Sequence, residues 1–329
     1  MRSFVICVCV VFLSCLGFPV FSQSTLHLFV EPLLSKGLGG TAYDLSFDEG
    51  GGNTALSRLE FPVVPLEVGL LVGATIDREG KRQWLFEAGF SHSTFPMSAT
   101  MNDYDWNGYA GYPPVPWSYT GSNDTTVNWS LSASAAWTFA SAGPVSFALC
   151  AQYQYQTESH TEDTLNGWQY IWNPSEGTSG AWDLYLINDQ TTDVLEYTLS
   201  AHILGVGMLA DLQAINRLTV ELRACYTPVY VSDNDDHKLL TKLSTAAGWG
   251  NGVYARLKAT YTLPRFSFGA TPYLVLAGDA EYFVVNTTQT QSWYGNGDPL
   301  VPQGTTITGV GHVITSTQFD LTLGFGIAF

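Results

Sequence analysis

The feature that most limits the fold of this chain is a strict alternation of residue types at its C-terminus. From Phe319 to Phe329 every second residue is apolar, the residues between them are Asp, Thr, Gly or Ala, and the chain ends on Phe. Successive side chains of a β-strand point to opposite faces, so one face of this segment meets an apolar phase and the other a polar or crowded one. The alternation therefore predicts a terminal β-strand.

Two further segments alternate in the same way and show what the inner face holds. In 147–155 the inner residues are Ala, Cys and Gln, and in 218–226 they include Glu221 and Arg223. A polar barrel interior accepts a charged pair, whereas the core of a β-sandwich would reject it. A last strand that ends in Phe is also similar to those of bacterial outer-membrane barrels. The last strand of a periplasmic sandwich is the alternative.

Ten strand regions follow one another along the chain, and short and long connections alternate between them. The predicted strands are 25–47, 56–76, 84–101, 126–139, 145–157, 194–210, 217–231, 252–262, 267–285 and 312–329. The connections 77–83, 140–144, 211–216 and 263–266 are short, whereas 102–125, 158–193, 232–251 and 286–311 are long and 48–55 is brief. This alternation predicts an all-β fold, a ten-stranded antiparallel transmembrane β-barrel with long extracellular loops and short periplasmic turns.

The N-terminal residues indicate export. A single basic residue, Arg2, precedes an apolar run that ends at small residues before Gln23, which is the pattern of a secretory signal peptide. A membrane anchor and a lipoprotein attached through Cys15 are the alternatives. We predict a signal peptide at 1–22 and a barrel domain at 23–329. No later stretch approaches the roughly 18 apolar residues of a transmembrane helix.

Charge separates this chain from several functional classes. It carries 13 Lys and Arg residues against 29 Asp and Glu, only 13% of its residues are charged, and 14% are aromatic. The acidic excess excludes a nucleic-acid binder, which needs a basic surface. Few charges and many aromatic residues exclude a disordered chain.

Two cysteines, Cys150 and Cys225, remain once the signal peptide is removed. They fall on the fifth and seventh predicted strands, so one strand lies between them and their Cα atoms are at least ~9 Å apart. A disulfide needs a separation under about 7 Å. We therefore predict two free thiols that face the lumen.

Two acidic motifs fall on the same rim of the predicted barrel, after the third and the seventh strand. Asp103 and Asp105 lie in the first, and Asp235 and His237 lie in the second. Residues two apart on an extended strand point to the same side, so each pair shares a face. A carboxylate beside a His fixes one tautomer and makes the ring more basic, and two close carboxylates share a proton. Together these groups would activate water for hydrolysis without a metal or a nucleophilic side chain.

Plainer interpretations of the same residues are open. Acidic loops are commonly solvated turns. A calcium site that begins at Asp233 is a second alternative, but Lys238 and Ser244 stand where an EF-hand loop needs Gly and Glu. A zinc site would need further ligands near His237, so we assign no metal ligand.

At these motifs the chain resembles the omptin family of outer-membrane endoproteases. The resemblance rests on the ten strands and on the segments SRLEF at 57–61, DYDW at 103–106 and DNDDH at 233–237, in this order and with this placement on the loops. It implies that Asp103 and Asp105 form a catalytic carboxylate pair. It also implies that Asp235 and His237 form the dyad that activates water.

The family cleaves beside basic residues, which acidic side chains at the bottom of the cleft recognise. By this resemblance Asp233 and Asp44 are the substrate-binding residues. The family's acid and His on the far side of the scissile bond are not matched around Tyr119 and Asn123, which leaves that preference open. The resemblance to this family also raises the question of whether the enzyme depends on lipopolysaccharide. We assign no cofactor, and dependence on that lipid stays open.

These observations predict an aspartic-type endopeptidase of the bacterial outer membrane that cleaves after Arg or Lys, with its active site on the extracellular side. Its partners would be cationic peptide or protein substrates and outer-membrane lipid, and not nucleic acid. The alternative is a non-catalytic barrel on the same scaffold that acts as an adhesin or a narrow pore.

Overall fold

The structure, a computed structural model, is an all-β protein. It describes residues 24–50, 53–78, 81–106, 116–173, 181–189, 193–298 and 301–329, so the predicted signal peptide lies outside the described residues. The strands in these ranges are β1 (Ser24–Gly50), β2 (Asn53–Pro62), β3 (Leu66–Arg78), β4 (Lys81–Phe95), β5 (Met97–Trp106), β6 (Ser118–Ala142), β7 (Val145–Asn173), β8 (Ala181–Asp189), β9 (Leu195–Ile215), β10 (Leu218–His237), β11 (Lys242–Thr262), β12 (Thr271–Trp293) and β13 (Thr306–Ala328). Among the described residues no helix is long and apolar enough to cross a membrane.

Ten of these strands form a closed ring. Each is antiparallel to its neighbours, in the order β1, β3, β4, β6, β7, β9, β10, β11, β12 and β13. The ring closes between the first and the last strand, which are in register from Phe29 with Ala328 to Ser46 with Gly311. The alternating C-terminal segment is therefore one wall of a closed barrel, and the predicted ten-stranded antiparallel transmembrane fold is confirmed.

Two of the predicted strands are each broken in two at a proline. β2 and β3 cover the second predicted strand, with Pro65 between them, and β4 and β5 cover the third, with Pro96 between them. Proline has no N–H to give to a ladder, so a strand interior ends there. β2 continues the column of β3 beside β1, and β5 continues the column of β4 beside β6. The number of columns around the barrel therefore stays at ten.

The long connections are largely strand rather than irregular loop. β6 begins at Ser118 and β7 ends at Asn173, and β10 and β11 are joined by 238–241 instead of by all of 232–251. The predicted boundaries are wrong here because they followed the apolar outer face, and the ladders continue beyond it. We call this end of the barrel the hairpin end. The opposite end, with tight turns such as 143–144 and 216–217, is the turn end.

The wall between the two ends has an apolar outside and a charged inside. Apolar residues that expose about half of their surface on the outer face include Leu204, Leu222 and Leu323. Inside, Arg223 Nη2 of β10 lies 2.7 Å from Glu87 Oε2 of β4, on another side of the lumen. Arg223 also contacts Glu221 at 3.2 Å. The charged interior that the sequence predicts is therefore confirmed.

Cys150 and Cys225 are both free, as predicted, and both are buried. Gly207 of β9 pairs with both of them. Because this glycine has no side chain, the two Sγ atoms approach to 3.5 Å across it. The intervening strand separates the two backbones but not the two sulfur atoms.

A hydrophobic core fills the barrel near the hairpin end. Its fully buried members include Tyr43, Phe61, Tyr197, Leu199 and Phe283. Phe61 and Tyr197 stack with ring centroids 4.3 Å apart, and the Tyr43 ring lies 5.5 Å from that of Tyr197. The side chains above this layer of rings are therefore supported by packed residues and not by solvated loops.

Candidate active site

The two acidic motifs lie at the hairpin end and approach each other across the barrel. Asp103 and Asp105 are on β5, and Asp235 and His237 end β10. β5 is paired with β6, and β10 stands three strands beyond β6 in the ring. Burial is the main cause of a raised pKa at Asp103, and the charges of Asp105 and Asp235 raise it further. The two motifs are therefore close enough to interact.

Asp103 and Asp105 point to the same inner side of β5, as their spacing predicts. Asp103 is in register with the buried Leu59, and its Oδ1 is buried without a hydrogen-bond partner among the described residues. Ser118 Oγ donates to Asp105 Oδ2 over 3.0 Å. Burial raises the pKa of both carboxyl groups. The pair therefore keeps a proton to a higher pH than two solvated carboxylates would.

Asp235 and His237 form a hydrogen-bonded pair on the inner face of β10. His237 Nε2 lies 3.0 Å from Asp235 Oδ2, which leaves Nδ1 to reach a water molecule. Burial alone would raise the pKa of Asp235, but the charge and the hydrogen bond of His237 and the charge of Lys242 lower it below its ordinary value. An ionised Asp235 fixes the His237 ring and increases its basicity.

Tyr43 of β1 is a site residue that the sequence reasoning missed. Its hydroxyl donates a hydrogen bond to Asp235 Oδ2, the atom that His237 also contacts, and its side chain is fully buried. The available signal was the alternation of Thr41, Tyr43 and Leu45, all of them buried on one face of β1. At the hairpin end this inner face is apolar, so a search for inward acids passed over it.

Asp44 lies on the other face of β1 from Tyr43. It is in register with Arg58, whose Nη1 lies 3.2 Å from Asp44 Oδ1, and about 40% of each side chain is exposed. Alternation along the strand directs it away from the barrel interior. The structure thus leaves Asp44 outside the cleft and brings the other predicted site residues together, namely Asp103, Asp105, Asp233, Asp235 and His237.

Asp233 lies two residues from Asp235 on the same face of β10. Its Oδ2 accepts a hydrogen bond from His312 Nε2 of β13 over 2.8 Å, and neither side chain is more than 1% exposed. Asp233 Oδ1 has no partner among the described residues. The sequence pattern does not connect His312 with Asp233, because the contact joins strands that are not neighbours in the ring.

A second buried cluster of acids with a His lies on β6 and β7. His160 Nδ1 lies 2.9 Å from Asp124 Oδ2, and neither carboxyl oxygen of Glu162 has a hydrogen-bond partner among the described residues. Burial, and then the charge of Asp124, raises the pKa of Glu162 to about 9. The register places Glu162 and His237 on either side of Leu195, so the cluster lines the same cleft.

The cleft offers acids and bases in hydrogen-bonding positions. In the part of the chain that the structure describes, no group of three or more His, Cys, Asp or Glu side chains is arranged to hold a metal ion. The chemistry that these side chains can perform themselves is proton transfer to and from water and the binding of a cationic group.

Comparisons with known proteins bear on the fold. No family model matches this chain, and neither does any curated protein sequence. Among solved structures, the outer membrane protease OmpT from Escherichia coli is similar, with a TM-score of 0.73 and 15% identity over 95% of this chain and 99% of that chain. The translocator domain of the autotransporter NalP from Neisseria meningitidis follows with a TM-score of 0.30 and 12% identity over 92% and 87%, too weak a likeness to support an argument. The likeness to OmpT confirms, for the fold, the omptin resemblance that the sequence motifs indicate.

Proposed function

We propose that this chain is an endopeptidase of the bacterial outer membrane that cleaves peptides and proteins after basic residues. The observation that carries the proposal is the convergence of two motifs on one cleft, the Asp103 and Asp105 pair of β5 and the pair of β10 in which His237 lies 3.0 Å from Asp235. The similar fold of OmpT, which is an outer membrane protease, supports both the location and the reaction class.

His237 is the general base in this proposal. Its Nδ1 takes a proton from water while Nε2 stays hydrogen bonded to the ionised Asp235. The carboxylate stabilises the imidazolium that forms and holds the ring in one orientation. Tyr43 in turn holds the carboxylate from the core side.

Asp103 and Asp105 supply the acid half of the reaction. The raised pKa of both groups keeps a proton available in the pair. The protonated member donates a hydrogen bond to the oxygen that becomes negative as water attacks, and then a proton to the leaving amine. The ionised member orients the water. No side chain becomes covalently attached to the substrate, and the proposed reaction uses no cofactor.

The acidic cleft favours cationic substrates. Asp233 lies at its floor, and Asp124 and Glu162 line its wall, all of them buried. Carboxylates gathered in a poorly solvated cleft attract positive charge and increase the rate at which cationic peptides arrive. Asp44, which is paired with Arg58 on the outer face, adds no pocket of its own.

The proposed orientation places the cleft on the extracellular side. Barrels of this class have short turns on the periplasmic side and long hairpins outside the cell. The catalytic pairs stand at the hairpin end, and the apolar outer band would contact outer-membrane lipid.

The lumen argues against the pore alternative. Ion pairs join strands on different sides of the lumen. They include Arg223 with Glu87, Lys258 with Glu31, and Arg82 with Asp211. Side chains held in this way obstruct the path of a hydrated ion. An adhesin does not require a buried, ionised Asp that is hydrogen bonded to a His.

Hydrolysis of matched peptides tests the proposal. Refolded protein is assayed on two fluorogenic peptides that differ only in a central Arg-Arg or Ala-Ala pair. We expect cleavage of the basic peptide alone and a loss of kcat of roughly 10²- to 10⁴-fold in His237→Ala. His202→Ala is the matched control, because His202 is exposed and bonds Tyr153 at 2.9 Å away from the cleft. Equal cleavage by His237→Ala and wild type would contradict the proposed mechanism.

A further inference from the structure

Cys150 and Cys225 face each other like two ligands of one site, although neither takes part in the proposed reaction. Their Sγ atoms are 3.5 Å apart, and neither side chain is more than 6% exposed. Gly207, which is in register with both cysteines, stands between them without a side chain. An added Cβ at this position would lie 2.0 Å from the backbone oxygen of Ala224, so no other residue fits there. The wall of the barrel therefore lets the two sulfur atoms meet.

The pair is spaced for a metal ion and not for a disulfide. β9 keeps the two Cα atoms at least ~9 Å apart, whereas a disulfide needs under about 7 Å. With metal–sulfur bonds of about 2.3 Å, two thiolates on one ion lie about 3.5 Å apart at a bond angle near 100° and about 4.6 Å apart when linear. The observed separation of 3.5 Å is at the lower end of this range. Rotation of the two side chains covers the rest of the range without any movement of the backbone.

The surroundings of the two sulfur atoms favour a soft ion over a hard one. Both cysteines belong to a cluster of buried apolar side chains that includes Leu85 and Leu209, which offer no ligand atom. In the described part of the chain, no group of three or more His, Cys, Asp or Glu side chains is arranged to hold a metal ion. Calcium and magnesium take about six or more oxygen ligands, and structural zinc takes four ligands. Two thiolates alone suit Cu(I), which soft sulfur ligands select.

An ion can reach the two thiols from the lumen. Gln152 and Arg223 each lie two residues from one of the cysteines, on the same face of the strand, and both line a polar cavity of about 180 Å³. A polar cavity of this size admits water and provides a path for an ion. Binding of Cu(I) to two thiols releases two protons to water and leaves a complex with one negative charge. The guanidinium of Arg223 lies close enough to compensate part of that charge.

We propose that Cys150 and Cys225 form a binding site for a single soft metal ion, and that Cu(I) is the ion this pair of ligands favours. The ion joins β7 to β10 across β9 inside the barrel wall. Cys225 is ten residues from Asp235 along β10, which is about 33 Å along an extended strand. The site is therefore separate from the cleft, and it stands whether or not the chain is an endopeptidase.

Competition with a chelator measures this site directly. The chain from residue 23 onwards contains no other cysteine, so every thiol in the refolded protein belongs to the proposed site. Reduced protein is mixed with Cu(I) under nitrogen in the presence of bathocuproine disulfonate, whose coloured complex reports the copper that the protein does not hold. We expect one Cu(I) per barrel and a higher melting temperature in the loaded protein, because the ion binds the folded state.

Single substitutions separate this site from copper bound elsewhere. Cys150→Ser and Cys225→Ser each remove one sulfur with little change in size. Loss of a group that only supports a ligand costs about 10- to 100-fold in metal affinity, so loss of a ligand should cost at least about 100-fold. Both variants should also lose the rise in melting temperature. His202→Ala removes an exposed His on the outer face and should leave copper binding unchanged.

Several results would overturn the proposal. They are a wild type that holds no copper against the chelator, serine variants that hold as much copper as wild type, and Zn²⁺ that prevents copper binding at the same concentration. Two copper ions per barrel, one on each thiol, would show that the sulfur atoms do not share an ion. A disulfide between Cys150 and Cys225, detected by mass spectrometry in the copper-free protein, would contradict the geometry on which the site rests.

Discussion

Tyr43→Phe tests the geometry around the proposed catalytic pair of Asp235 and His237 by removing a single oxygen atom. The substitution removes one hydroxyl and keeps the ring, which packs 5.8 Å from Phe61 and 5.5 Å from Tyr197. Asp235 Oδ1 already lacks a partner, so after the change Asp235 would keep only the hydrogen bond of His237. A hydrogen bond to a buried charged group contributes about 1.5–3 kcal/mol.

The expected loss falls on the chemical step. A tenfold change in rate corresponds to about 1.4 kcal/mol, so kcat should fall roughly 10- to 100-fold. KM for a basic peptide should stay unchanged, because Tyr43 acts on Asp235 and not on the substrate. The measurement is kcat and KM for wild type and Tyr43→Phe, with Tyr153→Phe as the control, since the Tyr153 hydroxyl bonds His202 outside the cleft. An unchanged kcat, or a rise in KM alone, would refute the role assigned to Tyr43.

Two further predictions concern stability and the lumen. The pKa of Glu162 is raised from 4.5 to about 9, so the folded state holds this proton more tightly than the unfolded chain and stability falls as the pH rises through that window. Glu162→Gln should therefore raise the melting temperature at about pH 8 but not below about pH 4. An equal rise in melting temperature at both pH values would contradict this prediction. In planar bilayers the refolded protein should show no stable conductance, since Arg223 and Glu87 span the lumen, and a steady open channel would favour the pore.

The barrel could be predicted because alternate residues of each strand face lipid, which requires apolar side chains, and the lumen, which accepts polar ones. The segment that ends at Phe329 and the inward pair of Glu221 and Arg223 both show this pattern, and the structure confirms both. The pattern changes at the hairpin end, where an apolar core lies inside beneath the buried acids of the cleft and the outside is solvated. Tyr43 therefore faces inward and Asp44 outward, which a rule derived from the membrane-spanning part cannot anticipate.

That the two members of each proposed catalytic pair share a face could be predicted, because they lie two residues apart on one strand and local alternation is enough. The contacts of Asp233 with His312 and of Asp124 with His160 depend instead on the register between strands far apart in sequence. Local pattern contains no information on that register, since it is set by closure of the whole ring.

A double-mutant cycle between the two motifs tests most directly whether they form one site. It measures kcat/KM on a Lys-containing peptide for wild type, Asp103→Asn, His237→Ala and the double variant. Groups that act as a unit in catalysis are strongly non-additive, so the double variant should be about as impaired as the worse single variant. Losses that multiply in the double variant would show that the two motifs act independently, which contradicts a single water-activating cleft.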